Sequence, residues 1–394
     1  MKKKSNPQIL FITNEGFDTP GPNNFMTERI IRGFLDQNYT IRLIQSFRNG
    51  PKASIPISLS KYNNLECINI KKRQVSKTSF KKRFIYDVTY IFRVISKWLF
   101  YKSDMVILQS TPTSFLHIFL LKIFFKRKII FNIYDIFPGH SYDLGIIKNR
   151  FLFQTFKFLY FLAYKFTKKI VVLSEDMKIS LVKSGVENKK VIVIPPWFDI
   201  GNVFEKNRYH NRFTEKYRES DFSKFIVQYA GSIGQVFDYH PIIEAARILS
   251  GHTDIVFHII GNGPKKDSFY KIAIENDLKN ILFFPLQDID LVSDVYSTSN
   301  ICVIPLRRGV IRAGVPSKAP IIMACRRTII ILVESDSKYF NSIKNNNIGI
   351  AINNDESSGI NLANEILDAY KNPHLISIIA SVDFCMRLKS HLPD

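Results

Sequence analysis

The sequence predicts an α/β protein built from two Rossmann-like domains, each a parallel sheet with helices on both faces. Three observations predict it. The chain has 394 residues, room for two domains of ordinary size. Hydrophobic residues make up 46% of it, which is enough for packed cores and too much for a disordered chain. Short β-branched runs alternate with longer helical patterns along most of the length, and that alternation marks parallel strands joined by crossover helices.

In the first half the strand-like runs are Ile9–Thr13, Ile41–Gln45, Met105–Gln109, Ile129–Tyr134, Ile170–Leu173 and Val191–Ile194. Helical patterns such as Phe25–Leu35 and Phe151–Phe166 lie between them. The second half repeats the arrangement with Phe225–Tyr229, Ile255–Ile260, Ile281–Phe284, Ile301–Ile304, Ile329–Val333 and Gly349–Ile352. The polar stretch Gly201–Asp221, preceded by Pro195 and Pro196, breaks the rhythm. The expected division is a first domain over 1–203, a second over 204–375, and a C-terminal helix over 376–394 packing back on the first. Open parallel sheets bind ligands at the carboxyl ends of their strands, so two such edges are expected to face each other across a cleft.

The charge is one-sided. Residues 1–200 carry 33 Lys/Arg against 13 Asp/Glu, whereas residues 201–394 carry 22 against 21. A field of that kind suits an anionic partner, either nucleic acid or an anionic membrane surface, or else a solvated basic face. No nucleic-acid-binding module is recognisable, so nucleic acid is not expected as a partner. Two basic helical patterns carry aromatic anchors. Phe80–Lys102 places Phe84, Val88, Ile91, Ile95 and Trp98 at helical spacing among lysines and arginines, and Phe151–Lys169 is similar. Such segments lie well on anionic bilayers, although core-facing helices with solvated lysines show the same pattern.

Cys67, Cys302, Cys325 and Cys385 have neither metal-ligand nor disulfide spacing, which fits a reducing cytoplasm and no bound metal. The apolar run after the basic N-terminus is too short for a signal-peptide core. Phe115–Phe125, interrupted by His117 and Lys122, falls short of the roughly 20 residues that span a bilayer.

Three features in the second half carry candidate chemistry. Ala230, Gly231, Ser232, Ile233 and Gly234 follow a strand and precede a helical pattern near His240. Small residues there let backbone approach a phosphate, though a tight turn without a ligand reads the same way. Gly261, Asn262, Gly263 and Pro264 repeat the device after the next strand. Gly314, Val315, Pro316, Ser317 and Lys318 lead into an apolar run, with Pro316 expected in the first helical turn and Ser317 and Lys318 at its positive end. A hydroxyl, a lysine and free N–H groups suit a diphosphate. Arg307, Arg308 and Arg312 crowd the preceding loop, where one of them shares the phosphate charge or all are simply solvated. In the first half, Asp135 is expected to end the strand Ile129–Tyr134, where it serves either as a reactive polar group or as a cap, and His140 follows.

Taken in order, these pieces resemble glycosyltransferase family 4, with the GT-B fold. The resemblance runs from about Ile9 to Ile352. It rests on the opening strand and polar loop, Asp135–Pro138 with Gly145, the run VVLSEDM at Val171–Met177, IPPWFD at Ile194–Asp199, and then AGSIG, IIGNGP and VPSK. The VPSK form resembles the branch that assembles bacterial O-antigen and capsule. The resemblance implies a retaining hexosyl transfer from a UDP- or GDP-sugar, with no required metal or other cofactor, to a lipid-linked glycan on the cytoplasmic face of a membrane. It assigns donor contacts to Gly231, Ser232, Gly234, Gly261, Gly263, Leu286, Arg312, Ser317 and Lys318. Asp135 and Lys318 take catalytic roles. Gly16, Gly21, Asn23, Asn24 and His140 border the acceptor.

The chain also departs from the family pattern. The paired glutamates are replaced by Ala313 and Ile321, and the family's Arg and Lys in the first glycine turn by Ser232 and, roughly, Phe237. Diphosphate binding is therefore expected to lean on Lys318 and an arginine of the 307–312 loop. A nucleotide-sugar epimerase-like enzyme or a catalytically impaired GT-B scaffold is the alternative.

Overall fold

The computed structural model describes residues 6–18, 22–47, 55–72, 80–98, 101–125, 128–196 and 203–372. The chain separates into two compact units, Met1–Trp197 with Arg312–Val315 and Phe198–Ile311 with Pro316–Asp394. The expected C-terminal helix over 376–394 lies outside the described residues.

The first unit holds seven strands: β1 (Gln8–Ile12), β2 (Thr40–Phe47), β3 (Leu65–Lys71), β4 (Met105–Gln109), β5 (Lys128–Asn132), β6 (Lys169–Val172) and β7 (Val191–Val193). They form one sheet in the order β3-β2-β1-β4-β5-β6-β7, and the neighbouring pairs are parallel. Helix Pro22–Asp36 covers one face, where Ile31 and Leu35 pack on Ile9, Phe11, Ile41 and Leu43. On the other face Val94, Phe115, Ile118, Phe156 and Tyr160 come from helices Phe80–Trp98, Ser114–Phe125 and Arg150–Phe166. Burial on both faces accounts for the continuous apolar runs of the central strands. The VVLSEDM run has a local reason as well. Ser174 caps helix Glu175–Lys183 by accepting from Met177 N–H at 3.2 Å, and Glu175 and Asp176 occupy its positive first turn.

The second unit holds β8 (Phe225–Ser232), β9 (Ile255–Asn262), β10 (Ile281–Phe284), β11 (Ile301–Pro305), β12 (Thr328–Leu332) and β13 (Ile350–Ile352), in the order β10-β9-β8-β11-β12-β13. Its pairs are parallel as well. The strand order reverses between β1 and β4 in the first sheet and between β8 and β11 in the second. Those are the positions where an open parallel sheet offers a crevice.

Several expectations change. β3 was not anticipated: it is an edge strand whose sequence LECINIK mixes polar and apolar residues. β8 runs on through Ser232, so the first glycine motif is the end of a strand rather than a turn. β5 stops at Asn132, three residues before Asp135. The described part of the polar stretch, from Val203 onward, is built into the second unit. Asn211 forms a capping box with Thr214 at helix Arg212–Lys216. The Asp294 side chain, 1% exposed, takes Lys206 Nζ at 2.6 Å, Arg212 N–H at 3.0 Å and an Arg212 guanidinium nitrogen at 3.2 Å.

Burial pushes the Asp294 carboxyl up, but the bonds from Lys206 and Arg212 outweigh it and the net direction is down. Its contribution to stability is thus present above the ordinary carboxylate range and is lost as the pH falls through the lowered value. Asp294→Asn is expected to destabilise the second unit by about 1–3 kcal/mol at neutral pH. Urea denaturation should show this deficit shrinking in acid.

Candidate donor-phosphate site

The centre of the site is Lys318. Its Nζ lies 3.9 Å from the centroid of the Tyr229 ring, a cation–π contact. The same ammonium fills the space above Gly231, where a Cβ would collide with it. Gly231 also has φ +138°, a backbone setting that L side chains rarely adopt, so glycine is favoured there by its backbone, while a Cβ would push the flexible lysine out of its place. Tyr229 is fixed by its hydroxyl, which donates to the Ser232 carbonyl at 2.5 Å. Burial draws the Lys318 ammonium down from 10.5 to about 7, against the Cys302 thiol, which acts to raise it.

The second glycine motif braces the first. Gly261 lies opposite Gly231 and Asn262 opposite Ser232 in the β8–β9 register. Gly263, at φ +156°, passes so close to Ile233 that a Cβ would strike its carbonyl oxygen. Ile233 N–H donates to Asn262 O at 3.0 Å, and Lys265 N–H donates to Ile233 O at 3.1 Å. The loop after β8 is thereby held by the loop after β9.

Among the predicted donor residues, Gly231, Ser232, Gly261, Gly263 and Lys318 come together at the carboxyl end of β8 and β9. Gly234 follows in the adjoining loop, where a Cβ would lie 3.2 Å from Ser232 Oγ. The helix after VPSK begins later than expected. It spans Ala319–Ala324, with Lys318 at its N-cap and Pro320 in its first turn, so Pro316 and Ser317 precede it. Leu286 is 62% exposed, beyond the end of β10. Arg312 ends a short 3₁₀ turn, Val310–Arg312, and falls in the segment that groups with the first unit. Sequence reasoning missed Lys265, whose Nζ donates to the Phe237 carbonyl at 3.0 Å.

In the first unit, Asp135 has a 61% exposed side chain 3.9 Å from His140 Nε2. It does not cap the helix that follows: helix Gly139–Asp143 has Pro138 at its N-cap and no side-chain cap bond, and His140 lies within that helix rather than in a loop. Ala313 O accepts from Ile136 N–H at 2.8 Å, and a Cβ on Gly314 would stand 2.7 Å from Asp135 Oδ1. Burial raises the Asp143 carboxyl, against the pull of His140 and Arg312. Asn23 and Asn24 belong to the first turn of helix Pro22–Asp36, not to the loop before it. Asn24 Nδ2 reaches back to Gly16 O at 3.0 Å, whereas Gly21 lies outside the described residues. Sequence reasoning also missed a buried ion pair here. Lys72 meets Asp87 at 2.5 Å and donates to Asn14 Oδ1 at 2.8 Å, in the loop that follows β1. Among the described residues no cluster of three or more His, Cys, Asp or Glu could hold a metal ion.

Two Rossmann-like units, the second with glycines and a half-buried lysine at its switch point, define the GT-B class of fold. The comparisons agree. The model for Glycosyltransferase Family 4 matches residues 25–202 and that for Glycosyl transferases group 1 matches residues 213–379. The chain belongs to glycosyltransferase family 4, a family of transferase enzymes. It is 22% identical over 250 residues to the Pseudomonas aeruginosa protein WbjE, named as a glycosyltransferase; the match covers 63% of this chain and 62% of WbjE. It is 27% identical over 166 residues to WcaI of Escherichia coli K12, named for colanic acid biosynthesis, covering 42% of this chain and 40% of WcaI. The chain thus spans less than two thirds of the length of these relatives. Among solved structures, Anabaena HepE in complex with UDP and glucose superposes with TM-score 0.67 at 14% identity, over 95% of this chain and 92–93% of HepE in its several complexes.

The half-buried lysine leads to a stability prediction. The folded state binds this proton more weakly than the unfolded chain, so Lys318 costs stability increasingly as the pH falls from 10.5 toward about 7. Lys318→Met should melt a few degrees higher than the parent near neutral pH, and the gap should close in alkali. Calorimetric melting across that range checks it.

Proposed function

We propose that the chain transfers a hexosyl group, with retention, from a nucleotide-diphosphate sugar to a lipid-linked glycan in surface-polysaccharide synthesis. The observation that carries this reading is the Lys318 ammonium, seated above Gly231 at the end of β8 without a carboxylate partner among the described residues. WbjE supports glycosyl transfer by its name, WcaI supports the polysaccharide context by its own, and HepE supports a nucleotide-sugar donor by its ligands. Departure of a nucleoside diphosphate leaves negative charge on its oxygens. A preplaced cation and aimed backbone N–H groups stabilise that charge as it develops. Asp135 is the polar group proposed to stand near the reacting sugar. Ala313 and Ile321 supply no carboxylate, so the diphosphate end of the donor bears more of the binding.

Binding of an anion favours the charged lysine. Because the free ammonium titrates near 7, binding above that pH takes up a proton. Titration calorimetry with UDP, GDP, CDP and dTDP should identify one binder whose affinity falls as the pH rises above about 7, by up to about tenfold per unit. Two buffers of different ionisation enthalpy should reveal the proton uptake, and Lys318→Met should abolish both effects. Binding without turnover of the matching donor sugar would favour the impaired scaffold. Absence of binding to every diphosphate would sink the donor reading.

The reading also seats the first unit on an anionic membrane at its cytoplasmic face. Helices Ser114–Phe125 and Arg150–Phe166 pack together, with Phe119 and Phe166 ring centroids 5.9 Å apart. Their outer surface exposes Ile123, Phe151, Phe158 and Phe166 beside Lys157 and Lys165. Apolar anchors flanked by cations suit an anionic bilayer. No helix among the described residues is long and apolar enough to cross a membrane. The protein should sediment with phosphatidylglycerol vesicles and not with phosphatidylcholine vesicles. Phe151→Ser with Phe158→Ser should weaken this at least about fivefold, in keeping with the loss of two buried aromatic anchors.

A further inference from the structure

The family's two cations in the first glycine turn are absent here, yet the structure returns two cations to the same loop from elsewhere in the chain. Strand order places β8 between β9 and β11. Lys265, on the loop after β9, brings its Nζ to within 3.0 Å of Phe237 O. Arg307, on the loop after β11, lays a guanidinium nitrogen 3.4 Å from Gln235 O, and its backbone N–H donates to Val236 O at 2.9 Å. Phe237 pairs with Leu306 through an isolated antiparallel bridge, which fixes the 233–237 segment against the end of β11.

Neither cation has an ion-pair partner among the described residues. The Lys265 ammonium donates to that carbonyl and lies 5.8 Å from the Tyr239 ring. Asp238, the acid whose charge acts on Lys265, is engaged by His240 Nδ1 at 2.8 Å. Burial lowers the Lys265 ammonium, the neighbouring Arg307 lowers it further, and Asp238 opposes them. Two cations are thus held near each other against carbonyl oxygens, at the end of the sheet where Lys318 also points. Like charges gathered without a counterion stay charged at lower cost when an anion joins them.

We propose that Lys265 and Arg307, closing on the Ser232–Phe237 segment from the strands on either side, are binding residues for the diphosphate of the donor. They stand in for the motif cations that Ser232 and Phe237 replace. This rests on the donor reading above and adds to it which side chains carry the charge.

The test compares a nucleoside diphosphate with its monophosphate. UDP, GDP, CDP and dTDP are titrated first into the parent, and the binder is then paired with its own monophosphate. Lys265→Met and Arg307→Gln should each weaken the diphosphate about five- to tenfold, consistent with loss of one charge-assisted contact. The monophosphate should change less than about twofold, so the preference for the second phosphate collapses in the double variant. Lys265→Arg should retain most of it. Melting curves of the variants report whether they fold. Unchanged diphosphate affinity in a folded double variant would overturn the assignment and leave the donor reading standing. So would a parallel loss of mono- and diphosphate, which would mark the two residues as braces of the loop. A parent that binds no diphosphate overturns both readings together.

Discussion

The site in the second unit is organised around an ammonium held over a tyrosine ring with no acid paired to it among the described residues. The Tyr229 face attracts the Lys318 charge, the missing Cβ of Gly231 gives it room, and burial draws its proton affinity toward neutrality. Inside a protein such a group is a standing cost. The surrounding elements are arranged to maintain it. β9 pairs with β8 through both glycines, the Tyr229 hydroxyl is tied to Ser232, and the short helix begins immediately after the lysine.

The first unit uses the same strand order differently. At its carboxyl edge the charged groups are largely compensated. Lys72 is paired with Asp87, Tyr90 donates to the Thr13 carbonyl at 3.0 Å, and Asp135 stays exposed near His140. One topology thus carries unpaired cations in one unit and, in the other, a lysine paired with an acid, as far as the described residues go. Part of the excess positive charge of the first half lies on exposed helix faces, as Lys157 and Lys165 beside Phe158 and Phe166 illustrate.

Much of this was legible in the sequence because parallel strands buried on both faces must be apolar throughout. The central strands announce themselves largely that way, and the edge strands β7, β10 and β13 do so by short runs of β-branched and apolar residues. β3 did not, because Glu66, Asn69 and Lys71 break its apolar run at the sheet edge. The glycine motifs and Lys318 were visible as short patterns. What could not be read was contact at long range. Lys265 is one of two adjacent lysines, and nothing local says that its ammonium meets a carbonyl 28 residues earlier. The end of β8 was misplaced for a related reason: Gly231 looks like a turn residue, yet its backbone stays paired with Gly261.

That pairing has a consequence for how the chain can vary. Inside β8 and β9 one apolar side chain can stand for another at modest cost if volume is kept. A single inserted or deleted residue in either strand is different in kind. It would slide Gly231 away from Gly261, turn every later side chain to the opposite face, and bring Ala230 or Ser232 beneath the lysine. The floor of the site is therefore specified by the length of two strands more than by their composition, and a frame of that sort tolerates wide drift in sequence but almost none in count.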